Sequence, residues 1–185
     1  MQAPSLRDVV MYAEKRLSGS LGGDASISTH THLDDGLLEK IAAIDHVKFR
    51  TELWYSREEL RARVDKPGFF CLMVELDGEP VAYDFGYRDE EPGVYFSDSS
   101  ATLVERKGVG TVLAVLEMVY LLEAGYRAVK FTTEEYDQAG RPLRRIWENL
   151  GYRTVSVDSG GVTMMMDITP QLVNSRVNDH LLSRG

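Results

Sequence analysis

Apolar residues recur at helical spacing at both ends of the chain and at strand spacing through its middle. Leu6, Val9, Val10, Ala13 and Leu17 form a stripe over residues 5–17, with Pro4 ahead of it and Ser5 and Asp8 matching a capping box. The run SGSLGGD, 18–24, predicts a flexible connector. Alternation in SISTHTHL, 26–33, predicts a first strand with His30 and His32 on one face. A helix follows over 35–48, capped by Asp34 or Asp35, with Leu37, Leu38, Ile41, Ile44 and Val47 on one side. Ser56-Arg57-Glu58-Glu59 is a second capping box and opens a short helix that Lys66-Pro67-Gly68 ends.

Three strand patterns then come without an intervening helix: 69–76, 80–88 and 94–104. Asp77-Gly78 and Glu91-Pro92-Gly93 supply the turns, so an antiparallel meander is expected. In the middle strand Val81, Tyr83, Phe85 and Tyr87 make one apolar, aromatic face, and Ala82, Asp84, Gly86 and Arg88 make the other. The third strand loses its apolar pattern at Ser97-Asp98-Ser99-Ser100, which fits an exposed edge, a bulge or the lining of a cleft. From about Gly110 to Ala124 a helix is apolar almost all round, so it should be buried on more than one side. The strand pattern at 128–135 follows that helix as a crossover, which makes its pairing with the previous strand parallel. A helix over 141–150, a hairpin of 152–157 and 162–166, and a last helix begun by Thr169-Pro170 complete the chain. Alternate residues of Met164, Met165 and Met166 should point into the core.

These elements amount to one α/β domain of 185 residues with a mixed sheet, 43% hydrophobic and 27% charged. No run of about eighteen apolar residues exists to span a bilayer, and the N-terminus has no signal-type apolar centre. A cytoplasmic protein without a membrane partner is expected. Cys71 is the only cysteine, which excludes an intrachain disulfide and a thiolate metal cluster; packing is its expected role. His30 and His32 lack a third ligand at a recognisable spacing, so no metal is expected. A net charge of −8 argues against nucleic acid as the main partner and mildly favours a cationic substrate. The opening helix has three open placements: on the core, over a cleft, or against the partner subunit of a homodimer. Core packing is the default.

The candidate chemistry lies in Glu105-Arg106-Lys107-Gly108-Val109-Gly110-Thr111, a basic, glycine-rich turn between a strand and the long apolar helix. Gly108 and Gly110 let a ligand approach the backbone, and the first-turn N–H groups of the helix point outward as anion donors. With the charges of Arg106 and Lys107 this suits a phosphate or pyrophosphate at the carboxyl end of a strand in a βαβ unit. The turn is neither a Walker loop nor a dinucleotide fingerprint, because it lacks Gly-Lys-Ser/Thr and a third glycine.

The element order, with two motifs, resembles the GNAT superfamily of acyl-CoA-dependent N-acetyltransferases. Gly108 and Gly110 match the glycines of Arg/Gln-x-x-Gly-x-Gly/Ala, and Pro142, Leu143, Ile146, Leu150, Gly151 and Tyr152 match the later helix pattern of one branch. The resemblance covers about 25–167, with 1–24 and 168–185 as additional terminal helices. It departs at Glu105, which takes the motif's basic first position, at Gly140 in place of an asparagine, and at Trp147, where many members carry the tyrosine that protonates the departing thiolate.

The resemblance implies direct transfer of an acetyl group from acetyl-CoA, as co-substrate, to the primary amine of a small molecule. It implies that Leu103, Val104, Arg106, Lys107, Gly108, Val109, Gly110 and Thr111 hold the cofactor, and that a backbone N–H of the fourth strand supports the thioester oxygen. Asp98 is the first candidate base, followed by Glu134 and Glu135; Tyr136 and Tyr152 are the candidate acids. The departures also suit a second role, a GNAT-fold sensor that binds acyl-CoA without turnover.

Overall fold

The computed structural model describes residues 4–32, 34–136, 140 and 142–183. Its elements in chain order are α1 (Leu6–Leu21), β1 (Ala25–His30), α2 (Asp35–Lys48), α3 (Arg57–Val64), β2 (Phe70–Leu76), β3 (Glu79–Arg88), β4 (Val94–Thr102), α4 (Val109–Glu123), β5 (Ala128–Thr133), α5 (Leu143–Leu150), β6 (Arg153–Asp158), β7 (Gly161–Asp167) and α6 (Pro170–Val177). A 3-10 turn, Thr51–Leu53, precedes α3, and a π-helical turn, Asn178–Leu182, extends α6. Leu33, Arg141 and residues 184–185, assigned above to a strand or a helix, lie outside the described residues.

The strands form one sheet in the order β1-β2-β3-β4-β5-β7-β6. The β1–β4 meander is antiparallel, as the turn residues require, and β4 with β5 is the parallel pair made by the α4 crossover. Helices cover both faces. Beneath α2 and α3 lie Leu38, Ile41, Ile44, Leu60, Cys71, Met73, Tyr83 and Phe85; beneath α1, α4 and α6 lie Leu72, Val74, Ala82, Tyr95, Val129, Met164 and Met166. Each fully buried Leu, Ile, Val, Met or Phe among them contributes about 1.5–3 kcal/mol, so the two cores fix the sheet between two helical layers.

Three expectations are corrected. Only the end of SGSLGGD is a connector: α1 continues through Ser18, Gly19 and Ser20 to Leu21, Gly22 ends it in the left-handed region at φ 76°, and Gly23 and Asp24 lead into β1. The extra turn persists because Val9, Ala13 and Leu17 are buried against α4, so packing outweighs weak local propensity. Core packing is therefore where the opening helix belongs. It also shields the edge strand, since Glu14 Oε1 and Ser18 Oγ accept the β1 amides of Ile27 and Ala25, both at 2.9 Å.

The second correction concerns β3, whose polar-looking face is buried as deeply as its aromatic one. Ala82, Asp84 and Gly86 lie under α4, while Tyr83 and Phe85 lie under α2. Asp84 and Glu117 of α4 are 5% and 3% exposed, two carboxyl groups inside an apolar layer. β1 also stops at His30, which bonds Ser28 through its ring (2.8 Å), so His32 is outside the strand.

Candidate active site

The glycine turn presents its backbone to solvent. Leu103 N–H still pairs with Val81 O (2.8 Å), and Thr102 Oγ1 then accepts from Val104 N–H (3.1 Å), which turns the chain off the sheet. Arg106 sits at φ 59° and Gly108 at φ 80°, successive left-handed turns that deliver the chain to α4. Gly108 is the N-cap and has no side chain to cap with. The first intrahelical bond is Val112 N–H to Gly108 O (3.0 Å), which leaves the amides of Val109, Gly110 and Thr111 free of intrahelical acceptors. Leu103, Arg106, Lys107, Gly108 and Gly110 are exposed; Val104 and Thr111 are half-buried, and only Val109 is buried. Glu105, the acidic intruder, is paired with Lys48 Nζ at the end of α2 (2.7 Å), which offsets its charge beside the anion donors.

Next to this turn the sheet opens. β4 and β5 pair through only three positions, Val94↔Ala128, Tyr95↔Val129 and Phe96↔Lys130. Beyond them β4 continues with β3 alone and β5 with β7 alone. The strands part, and each turns an unpaired backbone edge toward the gap. The divergence coincides with a bulge: Gly86 faces Ser97, Phe85 faces Ser99, and Asp98 is the extra residue. Gly86 is required there, because a Cβ would stand 2.2 Å from Phe96 O and 2.6 Å from the Tyr95 ring.

The bulge determines what Asp98 meets. Its side chain is 8% exposed, accepts from Arg63 Nε at 2.7 Å and from Tyr55 Oη at 3.0 Å, and also interacts with the Tyr87 hydroxyl. Arg63 in turn lies 3.9 Å over the Tyr55 ring. Burial, then the Asp98 charge, pushes the Tyr55 hydroxyl up to about 12; burial works against the Arg63 cation but Asp98 outweighs it and raises its pKa. Asp98 is thus the hub of a half-buried polar cluster on the α2–α3 face.

Glu134 and Tyr136 stand elsewhere, at the carboxyl end of β5. Together with Arg50, Glu135 and the β6–β7 turn of Asp158–Gly161 they line an open groove of about 530 Å³. Glu134 meets Arg50 Nη2 at 3.1 Å, an ion pair whose side chains are half exposed, and Tyr136 is 55% exposed. The structure therefore brings Glu134 and Tyr136 together and places Asp98 in a different cluster. Trp147, half-buried on α5, packs against Phe131 and Tyr152, with ring centroids 4.7 and 5.7 Å away. Tyr152 is buried, and burial drives its hydroxyl pKa well up, so it serves as a packing aromatic.

Arg50, Tyr55 and Arg63 were not legible as site residues. They lie on the α2–α3 segment, far from β4 and β5 in sequence, and Arg63 follows a pattern that suits a solvated helix face. The nearest signal is the Ser56–Glu59 capping box, which fixes where α3 starts but not what its far end touches.

No family model and no curated protein matches the sequence. Solved structures do. The ribosomal-protein-S18-alanine N-acetyltransferase of Escherichia coli aligns with a TM-score of 0.63 at 14% identity, over 78% of this chain and 94% of its own. The aminoglycoside 6′-N-acetyltransferase of Enterococcus faecium gives 0.64 at 16% identity, over 78% and 97%. The PaiA N-acetyltransferase of Thermoplasma acidophilum, in complex with coenzyme A, gives 0.61 at 12% identity, over 77% and 99%. Identities this low speak for the arrangement of elements and not for the reaction. With its seven-stranded mixed sheet, its parted β4 and β5 and the glycine turn above them, the chain has the fold of the GNAT acetyltransferases.

Proposed function

We propose that the protein is an acetyl-CoA-dependent N-acetyltransferase that moves an acetyl group directly to the primary amine of a small molecule. The carrying observation is the parting of β4 from β5 after Phe96 and Lys130, beside the open amides of Val109, Gly110 and Thr111. An extended pantetheine arm fits between the two unpaired strand edges, and the pyrophosphate fits the amides, Arg106 and Lys107. A backbone N–H of β4 beyond Phe96 then supports the thioester oxygen as negative charge develops on it.

The groove at the end of β5 suits the amine. Among the described residues that line it, Glu134, Glu135 and Asp158 stand against one cation, Arg50, so a positively charged acceptor is favoured. The attacking amine must be neutral. Glu134, the carboxylate open to solvent, accepts the ammonium proton directly or through water. The amine then forms its C–N bond, the C–S bond breaks, Tyr136 donates its phenolic proton to the leaving sulfur, and the proton shed by the new amide nitrogen restores Tyr136 through solvent. Asp98, whose oxygens already receive Arg63 and Tyr55, holds the α3 wall beside the gap and leaves the base role to Glu134.

A second reading is favoured by one observation. Trp147 brings an indole, with no hydroxyl, tilted against Phe131, to the helix position where the resemblance calls for an acid. A protein that binds acyl-CoA without turnover needs no acid there. A thiol-release assay with acetyl-CoA across a panel of cationic amines separates the two: amine-stimulated release supports transfer, whereas tight acetyl-CoA binding with no release from any amine supports the sensor.

A further inference from the structure

Asp45 is a buried acidic residue for which the reaction above has no use. It stands on α2, 2% exposed, and its Oδ1 accepts the hydroxyl of Tyr83, a fully buried residue of β3. The same Tyr83 oxygen meets Ser99 Oγ of β4 at 2.8 Å. Side chains from α2, β3 and β4 thus make one chain of hydrogen bonds that begins in the core and ends at the half-buried Ser99.

Proton counting gives the chain a direction. A phenol has one proton, and Tyr83 gives it to Asp45, so the Ser99 hydroxyl is the donor in the second bond. Ser99 Oγ keeps its lone pairs as an acceptor, polarised by a carboxyl group two hydrogen bonds away. Burial, then the Asp45 charge, raises the Tyr83 pKa well above its ordinary value, so the phenol holds its proton. Burial also raises the pKa of Asp45, against the opposing effects of the Tyr83 bond and of His46.

The strands place that acceptor. β4 and β5 last pair at Phe96 and Lys130, and Asp98 is the extra residue of the bulge. Ser99 therefore borders the gap level with Thr132 and Thr133, just short of Glu134. Asp98 and Ser99 both turn toward the α2–α3 face, where they meet Arg63 and Tyr83. On β5, Phe131 packs on Trp147 at the opposite face, so alternation carries Thr132, and Glu134 just past the strand end, to the α2 side, where Glu134 meets Arg50. Ser99 and Glu134 flank the gap from opposite strands on one face of the sheet.

Resting on the acetyl-transfer reading above, we propose that Ser99 binds the acceptor amine, whose N–H its Oγ receives, and that Tyr83 and Asp45 are positioning residues acting through it. A primary ammonium has three N–H donors. It gives one proton to Glu134 and keeps a second N–H on Ser99, so the amine stays held to β4 while its freed lone pair attacks the acetyl carbon. A bond made on binding and kept through the attack lowers KM and leaves kcat little changed.

Steady-state kinetics with the cationic amine that wild type turns over best test this, with acetyl-CoA affinity read by titration. Ser99→Ala should raise the KM for the amine about tenfold, the effect of one hydrogen bond to a charged group, at unchanged kcat and acetyl-CoA affinity. Tyr83→Phe, which removes only the linking oxygen, should raise it nearly as far. The double variant should be no worse than Ser99→Ala alone, because Tyr83 acts through Ser99. Ser99→Thr, which keeps the hydroxyl, should restore the wild-type KM; if Tyr83→Phe does not fold, the two Ser99 variants carry the test. A chain that only stabilises the fold would lower the melting temperature without moving KM, and an unchanged KM in Ser99→Ala overturns the proposal while acetyl transfer stands. Effects that multiply in the double variant overturn the role of Tyr83 and Asp45. If no amine stimulates thiol release, the transfer reading fails and takes this proposal with it.

Discussion

Asp84 and Glu117 allow a stability prediction that depends on the fold and on no assumption about substrate. Both carboxyl groups are buried between the sheet and α4, and Asp84 Oδ1 and Glu117 Oε1 have no hydrogen-bond partner among the described residues. Tyr95, Tyr152, Cys71 and Ser97 are the groups that face them. Burial pushes Asp84 from its ordinary 3.8 up to about 7, against the opposing effect of a hydrogen bond from Glu117. Burial, then the charge of Asp84, raises Glu117 well above its ordinary range, so Glu117 keeps its proton and Asp84 ionises first. A carboxyl group whose folded pKa is raised stabilises the protein while protonated, and that contribution is lost as pH rises through the folded value. At about 1.4 kcal/mol per pH unit, the rise in Asp84 corresponds to roughly 4 kcal/mol in all, of which roughly 2.5 kcal/mol falls between pH 5 and pH 8. Urea unfolding of wild type and Asp84→Asn across that range measures it. The stability of wild type relative to the variant should fall by roughly 2.5 kcal/mol from pH 5 to pH 8. A difference that is flat with pH, or one that grows in favour of wild type, would refute a protonated buried pair.

Three further outcomes are expected. Arg63→Met strands the buried Asp98 carboxylate and should cost about 3 kcal/mol in urea unfolding, where a loss under about 0.5 kcal/mol would mean that the ion pair is solvated. Glu134→Gln should lower the rate of acetyl transfer by about a hundredfold with acetyl-CoA affinity unchanged, as titration and steady-state kinetics read it; an unchanged rate removes Glu134 as the base. Cys71 is fully buried, and burial drives its thiol pKa far up, so the native protein should not react with a disulfide reagent until denatured; prompt reaction would contradict its place beneath α2.

Period and turn chemistry made much of the fold legible. Asp34, Ser56 and Thr169 cap the helices they were expected to cap, and the two turns of the meander stand where Gly78 and Gly93 put them. The parallel β4–β5 pair followed from one crossover helix. Burial decided what remained hidden. The second face of β3 looks polar because Asp84 interrupts it, and Glu117 disappears in an otherwise apolar helix; only the packing of α4 on the sheet brings the two together. SGSLGGD carries residues that favour loops, and α4, far along the chain, holds its first part helical. The site was legible in parts. The glycine turn and the Ser97–Ser100 break lie next to each other in sequence, whereas the Arg63–Asp98 and Arg50–Glu134 pairs span 35 and 84 positions and leave no local pattern. Glu105 looked damaging to an anion site until Lys48, on α2, was found beside it.

Titration of acetyl-CoA into wild type and Gly110→Trp tests the central claim most directly. Gly110 has nothing within 4 Å of where its Cβ would stand, so the indole can enter the open space over the first turn of α4 without disturbing the protein around it. The account predicts saturable binding to wild type, in the micromolar to low-millimolar range usual for enzyme substrates, and its loss in Gly110→Trp at unchanged melting temperature. No binding to wild type, or equal affinity in the variant, would contradict it.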